Sequence, residues 1–415
     1  MQAVWSPAPD RADPIHTLSR ANTGRLPRLL AEKHHRMRAS PFAFFRGAAA
    51  VMAADLAGSP HTGLTVQLCG DAHVRNLGAY AAPDGRLVFD MNDFDETCPG
   101  PWEWDVKRLA TSLVLAGAES GQSASGCHRA VRAFLASYRT HIRAFGQMPV
   151  VALARYLITR HDREPLVAEI LAVAKHVTAR RNLRRLVVLT RHGLRLHDRK
   201  PTLAPVSDRI AAQVVRALAG YRATLPASPR LTFEAYRPAD VAFKVVGTGS
   251  VGTRDYVVLL FGNDRRDPLF LQVKQALPSC YAPYVPVATR PTHEGRRVAE
   301  GQQRIQTVSD PLLGYTRCGG HDFLVRQLAD HKAGLDPGAL TGPTLLAYAR
   351  LCGEVLAKGH ARTGDAVAIA GYVGSSVTLD GAIADFAVAY GEQTRIDFTR
   401  FVAWLRRRSH PRATR

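Results

Sequence analysis

The sequence predicts an α+β protein of two lobes, one large and helical, the other small and β-rich. Three observations carry this expectation. The chain has 415 residues, 46% of them hydrophobic, which is enough to bury more than one core. Apolar residues at helical spacing recur over long stretches on either side of the middle. Between residues 241 and 273, after Pro226, Pro229 and Pro238, β-branched and aromatic residues dominate three short runs.

Taken in order, residues 1–24 are rich in Pro, Asp and Arg and read as an arm on the surface. Helices are expected over 26–38 and 44–56. The runs 64–68 and 87–91 are short, apolar and strand-like, each leading into a polar loop. Helices come next over 104–116 and 130–145, then several basic amphipathic segments between 152 and 221. Strands are expected at 241–246, 254–261 and 269–274, a helix over about 296–307, and a strand at 323–328. The stretches 340–359 and 379–404 are mostly helical. The implied organisation is a helical lobe over 1–232, a β-rich lobe over 233–330, and C-terminal helices over 331–415 that complete the first lobe.

Composition narrows the class. No apolar run approaches the ~20 residues that span a bilayer: Arg46 interrupts 42–54, and 109–117 is too short. No membrane is therefore expected as a partner. The first ten residues lack the charged start and apolar middle of a secretory signal. Six cysteines lie far apart without a Cys-x-x-Cys pair, which argues against a zinc site or a disulfide framework and for a cytoplasmic location. The net charge of +20 comes largely from 175–200 and from the tail 406–415. It either attracts a phosphate-bearing partner, including nucleic acid, or reflects arginine as the ordinary surface residue. No nucleic-acid motif accompanies it, so the second reading is favoured.

The chemistry is concentrated in two places. In Gly70-Asp71-Ala72-His73-Val74-Arg75-Asn76, and then Asn92-Asp93-Phe94-Asp95-Glu96, two short loops supply carboxylate and amide oxygens. One carboxylate can orient a nucleophilic hydroxyl, while an amide and a second carboxylate can hold magnesium against nucleotide phosphates. Much later, Gly247-Thr248-Gly249-Ser250-Val251-Gly252 fits G-x-G-x-x-G. The residues after it, 253–260, favour a strand rather than the helix of a dinucleotide-binding unit. Strand, glycine turn, strand is a flap that can cover phosphates. A third strand ends in Lys274, which needs an anionic neighbour. Glu300 in the next helix is the first candidate and Glu294 the second.

Together these motifs resemble the protein-kinase-like superfamily, and most of all its aminoglycoside and choline phosphotransferase branch. Gly70–Asn76 is similar to that branch's Gly-Asp-x-His-x-x-Asn loop, and Asp93-Phe94 to its metal-binding Asp-Phe. Trp104-Asp105-Val106-Lys107-Arg108 is similar to its third motif, whose aspartate braces the catalytic loop. More closely, nearly the whole chain resembles the bacterial domain-of-unknown-function family 2252. That resemblance lies in 40–47, 67–73, 92–97, 100–108, 272–276 and 326–332. It implies no established substrate.

The resemblance implies a protein-kinase-like fold with ATP and Mg2+ as cofactors, but the order is altered, because Asp71 precedes Lys274. A circular permutation accounts for this, since chain order is free so long as the groups meet in space. A collinear rival would use Asp365 as base and Asp385 as metal ligand, with Arg362 nearby. It has Ala370 where the asparagine should be, and it leaves the 71–96 carboxylates unused. In the favoured reading Asp71 is the catalytic base, Asn76 and Asp93 hold magnesium, and Asp95 holds a second ion or stands behind the first. Gly247, Thr248, Gly249, Ser250 and Gly252 cover the phosphates, and Lys274, steadied by Glu300, contacts them. His73 and Asp90 read as structural. The expected activity is phosphoryl transfer to an unidentified small-molecule or protein acceptor. Alternatives are a nucleotide-binding protein without transfer, an AMP-transferring enzyme, and a basic nucleic-acid-binding protein.

Overall fold

A computed structural model describes residues 5–159, 165–176, 179–191, 193–245, 247–287, 291–328, 338 and 340–409. It is an α+β fold. Among the described residues twelve strands form four antiparallel sheets. Strand β1 (Thr65–Leu68) pairs with β4 (Cys98–Pro101), and β2 (Leu77–Ala81) with β3 (Leu87–Met91). A hairpin of β5 (Val187–Thr190) and β6 (Gly193–Leu196) forms a sheet of its own. The main sheet is built from β7 (Leu203–Pro205), β8 (Arg237–Lys244), β9 (Asp255–Phe261), β10 (Pro268–Gln275), β11 (Gly314–Cys318) and β12 (His321–Gln327). Its order is β11-β12-β10-β9-β8-β7.

The helical core gathers Trp102–Glu119, Ala124–Gln147, Gly342–Thr363 and Thr378–Ser409. The first of these helices is almost wholly buried, with Glu103, Asp105, Lys107 and Arg108 in its first two turns and an apolar second half, so it runs through the centre of the core. Local chemistry sets several starts. Ser123 Oγ accepts from Gly126 N at 3.1 Å, and Ser40 Oγ accepts from Ala43 N at 3.0 Å. The helix expected over 44–56 is two, Pro41–Gly47 and Ala49–Ala57, broken at Ala48. Gly47 packs so tightly on Met37 that a Cβ there would lie 2.5 Å from Met37 Cγ. The N-terminal arm carries a helix, Pro14–Ala21, and is tied down by Arg11, which bridges Asp55 and Asp397. Asp90 at the end of β3 pairs in the core with Lys358 of the helix Gly342–Thr363, the structural role expected of it.

The β-rich part starts earlier than residue 233. Strand β7 satisfies the edge of β8, with Leu203 opposite Lys244. Helix Asp208–Thr224 packs Val214, Leu218 and Tyr221 onto one face of the sheet. The other face is covered at one end by Leu186 and Leu196. The stretch 152–221 is therefore not wholly helical. Short alternating runs among arginines pair as β5 and β6, and they are too short for periodicity to separate from helix. The boundary expected at 330/331 lies outside the described residues. Among the described residues no single helix is long and apolar enough to cross a membrane.

Candidate active site

The two early loops are held together by backbone contact. Gly70 has φ +85°, and a Cβ there would lie 2.2 Å from the carbonyl oxygen of Glu96, so only glycine lets the loops close this tightly. Asp105, on the buried face of helix Trp102–Glu119, accepts from Cys69 N at 2.6 Å and Gly70 N at 3.0 Å. It braces the loop as the resemblance implied. Three residues on, and so on the same helix face, the fully buried Arg108 donates to Asp71 Oδ1 from Nε at 2.9 Å and Nη2 at 2.5 Å. This fixes one oxygen of Asp71. The other lies 3.7 Å from His73 Nε2 and opens on a recess of about 60 Å3. Burial, then Arg46, Arg108 and Arg75, hold the His73 imidazole well below its usual range, so it is neutral and acts as a loop hydrogen-bonder. Asn76 is buried and donates its amide to the Asp71 carbonyl at 2.8 Å, which leaves its side-chain oxygen unspent on that bond.

Lys274 reaches these loops from the main sheet. Its Nζ lies 2.5 Å from Asp95 Oδ2 and 3.7 Å from Asp93 Oδ1. Burial works against its charge, but the two carboxylates outweigh burial and raise its pKa. Asp95 is the mirror case: burial opposes ionisation, while Lys274 and the Ser250 hydroxyl, bonded at 2.9 Å, bring its pKa down. Gly247, Thr248, Gly249 and Ser250 roof the recess over Asp71 and Asp93. Gly252 does not reach it. With φ +98° it lies behind the turn, its Cβ position 3.0 Å from Arg25 Cβ.

Glu300 is not the partner of Lys274. It is half-exposed and pairs with Arg296 at 2.6 Å and Arg304 at 3.7 Å. Helix Glu294–Ile305 instead turns Gln302 to the cleft, since two residues of helix amount to roughly 200° of rotation, and Gln306 just past its end joins it there. Glu294 serves Arg297. Asp95 takes the place expected of Glu300. The rival set does not gather either: Asp365 caps Ala368 N, Arg362 bonds carbonyls of Ala154, Arg304 and Gln306, and Asp385 is exposed.

Beyond Lys274 the recess opens into a cleft of about 530 Å3 between the sheet and the helical core. Its sheet side carries Lys244, Gln272 and Arg326, and its far side the β2–β3 turn at Tyr80–Gly85. Arg326 Nε donates to Gln272 Oε1 at 3.1 Å, and Gln272 Nε2 donates to Asp255 Oδ2 at 2.7 Å. Gln272 and Arg326 lie in stretches that carry the family resemblance, but none of these residues has a role legible in the sequence. Gln272 and Lys274 share a strand face by their two-residue spacing, and that spacing could have revealed the first.

Asp255 sits beneath the cleft, 1% exposed, with Oδ1 lacking a hydrogen-bond partner among the described residues. Burial pushes its carboxyl from 3.8 up to about 7, against the pull of Lys274 and Lys244. The folded protein thus keeps a proton there that the unfolded chain loses near pH ~4. The native state consequently loses stability relative to the unfolded as pH rises from ~4 to ~7, and the full penalty, about 4 kcal/mol, is present above that range. The D255N variant removes this titration. Urea unfolding at pH 5 and pH 8 should show its stability advantage over wild type growing with pH. An advantage that does not change with pH excludes Asp255 as the titrating group.

Fold and site together define an α+β protein whose cleft joins two acidic loops to a lysine on an antiparallel sheet. The chain belongs to the family described as "Uncharacterized protein conserved in bacteria (DUF2252)", which matches residues 25–404. No curated protein and no solved structure matches it.

Proposed function

We propose that the protein is an ATP- and magnesium-dependent phosphotransferase with a kinase-like fold in circularly permuted order. One observation carries this reading: Lys274, from a late strand, meets Asp93 and Asp95 of an early loop at 3.7 and 2.5 Å, beside Asp71. The cleft that starts there has the size and lining for a nucleotide, with Lys244, Lys274 and Arg326 available to phosphates. Asp93 and Asn76 would hold the magnesium. Among the described residues no three His, Cys, Asp or Glu side chains gather as a self-sufficient metal site. That suits magnesium, which takes one or two protein carboxylates and completes its shell with phosphate oxygens and water. When bound, the ion neutralises charge on the phosphates. Asp95 is already engaged by Lys274 and Ser250, so it positions the lysine. Asp71, oriented by Arg108, accepts the proton of the attacking hydroxyl.

The test uses ATP labelled at the γ or the α phosphate, given with magnesium and a mixture of small metabolites. Label transferred from the γ position supports the proposal, and label from the α position makes the enzyme an AMP transferase. Magnesium-dependent nucleotide binding without transfer leaves a binding protein. No nucleotide binding refutes the reading altogether.

A further inference from the structure

Cations around Asp71 fall into two groups. Arg108 is committed to Asp71, and Lys274 to Asp95. Arg25, Arg46 and Arg75 have no carboxylate at salt-bridge distance among the described residues. Arg46, in the last turn of helix Pro41–Gly47, makes no hydrogen bond there, and its Nε is buried without a partner. Its carbonyl lies 3.5 Å from the Cβ position of Gly249, so its backbone abuts the glycine turn. Burial first, then repulsion from Arg75, pushes its pKa down to about 10 against the pull of Asp71, Asp93 and Glu119, which leaves it charged at neutral pH. Arg25 enters the same recess from the turn, donating Nη1 to Val251 O at 2.8 Å, and its Nε is also buried and unpartnered. Arg75 is exposed, close enough to Arg46 to repel it.

Buried donors left unpaired and like charges left together are costly, and an anionic group that accepts from both would relieve each cost. The recess is narrow, about 60 Å3 against about 530 Å3 for the cleft beyond it. A hydroxyl or one small anionic group fits there, while a bulky ring must stay outside.

We propose that the acceptor is a small hydroxylated acid whose carboxylate or phosphate is held by Arg46 and Arg25 and drawn in by Arg75. This deepens the phosphotransferase reading and rests on it for the fate of the hydroxyl. The hydroxyl oxygen bonds the γ-phosphorus, the bond from that phosphorus to the β–γ bridging oxygen breaks, and ADP leaves with the electron pair. The hydroxyl proton passes to Asp71. Arg46 is a specificity residue here, acting on the acceptor rather than on the nucleotide.

The experiment has two arms, both on the full chain. Calorimetric titration of the nucleotide-free protein with inorganic phosphate, and separately with citrate, tests the anion site alone. Arg46→Gln should weaken binding at least tenfold, while Arg266→Gln, in the exposed turn between β9 and β10 and away from both cavities, changes it less than twofold. The reverse pattern, or no binding of either anion, overturns the proposal. Arg75→Gln, at an exposed position, serves as a second variant should Arg46→Gln not fold. In the second arm, ADP release is measured with magnesium–ATP and glycerol 3-phosphate, glycerate, glycerol or glucosamine. The two acids should be preferred, which of them wins distinguishes phosphate from carboxylate, and Arg46→Gln should raise the acceptor KM tenfold with the ATP KM unchanged. Preference for the neutral or cationic compound overturns the proposal. Failure of magnesium–ATP to bind refutes the phosphotransferase reading, and the phosphate titration still decides the anion site.

Discussion

Replacing Asp71 by asparagine should lower turnover by ~10²–10⁴-fold while leaving the affinity for magnesium–ATP within about twofold of wild type. The amide oxygen can still accept from Arg108, so the side chain keeps its place, but it cannot take a proton from the acceptor. The variant should also be less stable. Arg108 is fully buried and would lose the one carboxylate bonded to it among the described residues, and breaking a buried pair in this way costs ~3–5 kcal/mol. Rates are therefore to be measured where circular dichroism shows the variant folded, with ADP release for kcat and a separate titration for nucleotide. Equal turnover in the two proteins would dismiss Asp71 as the base.

Asp93→Ala should remove the magnesium dependence of nucleotide binding, so that the affinity with magnesium falls to the value measured in chelator. The side chain of Asp93 is 34% exposed and 3.7 Å from Lys274, whereas Asp95 grips that lysine at 2.5 Å. Removing Asp93 thus takes away the more available oxygen ligand without stripping the buried lysine of its closest partner. The fold should tolerate the change, and a thermal melt within a few degrees of wild type is the accompanying control. Undiminished magnesium dependence would shift the metal assignment to other oxygens.

How much of the molecule is legible in its sequence depends on the range of the physics involved. Loops such as Gly70–Asn76 announce themselves because their chemistry is local, and strands such as β9 and β10 do so because a buried strand is apolar along its whole length. Lys274 is legible as a charge in such a strand. Its partner is not. Asp95 and Glu300 are both acidic and both many residues away along the chain, and only the rotational phase of helix Glu294–Ile305 turns Glu300 away. Arg108 lies in plain view three residues after Asp105, yet Glu103 and Lys107 share the same two turns, and a cluster of charges in one helix does not say which of them faces the loop. The hairpin β5–β6 reads as helix because four-residue strands among arginines carry too few apolar positions to show a period. Strand β7, three residues long, joins the sheet only through long-range pairing with β8.

The distance along the chain between the halves of the site has a consequence for biosynthesis. Ser250 and Asp95 are 155 residues apart, and Lys358 and Asp90 are 268 apart. A ribosome delivers the N-terminal part first, at ~5–20 residues per second. For many seconds the acidic loops therefore exist without the lysine that neutralises them, and Asp90 without its counter-ion for longer still. The growing polypeptide must carry these carboxylates in water until the later strands and the penultimate long helix emerge, so the candidate site is among the last features of the molecule to become whole.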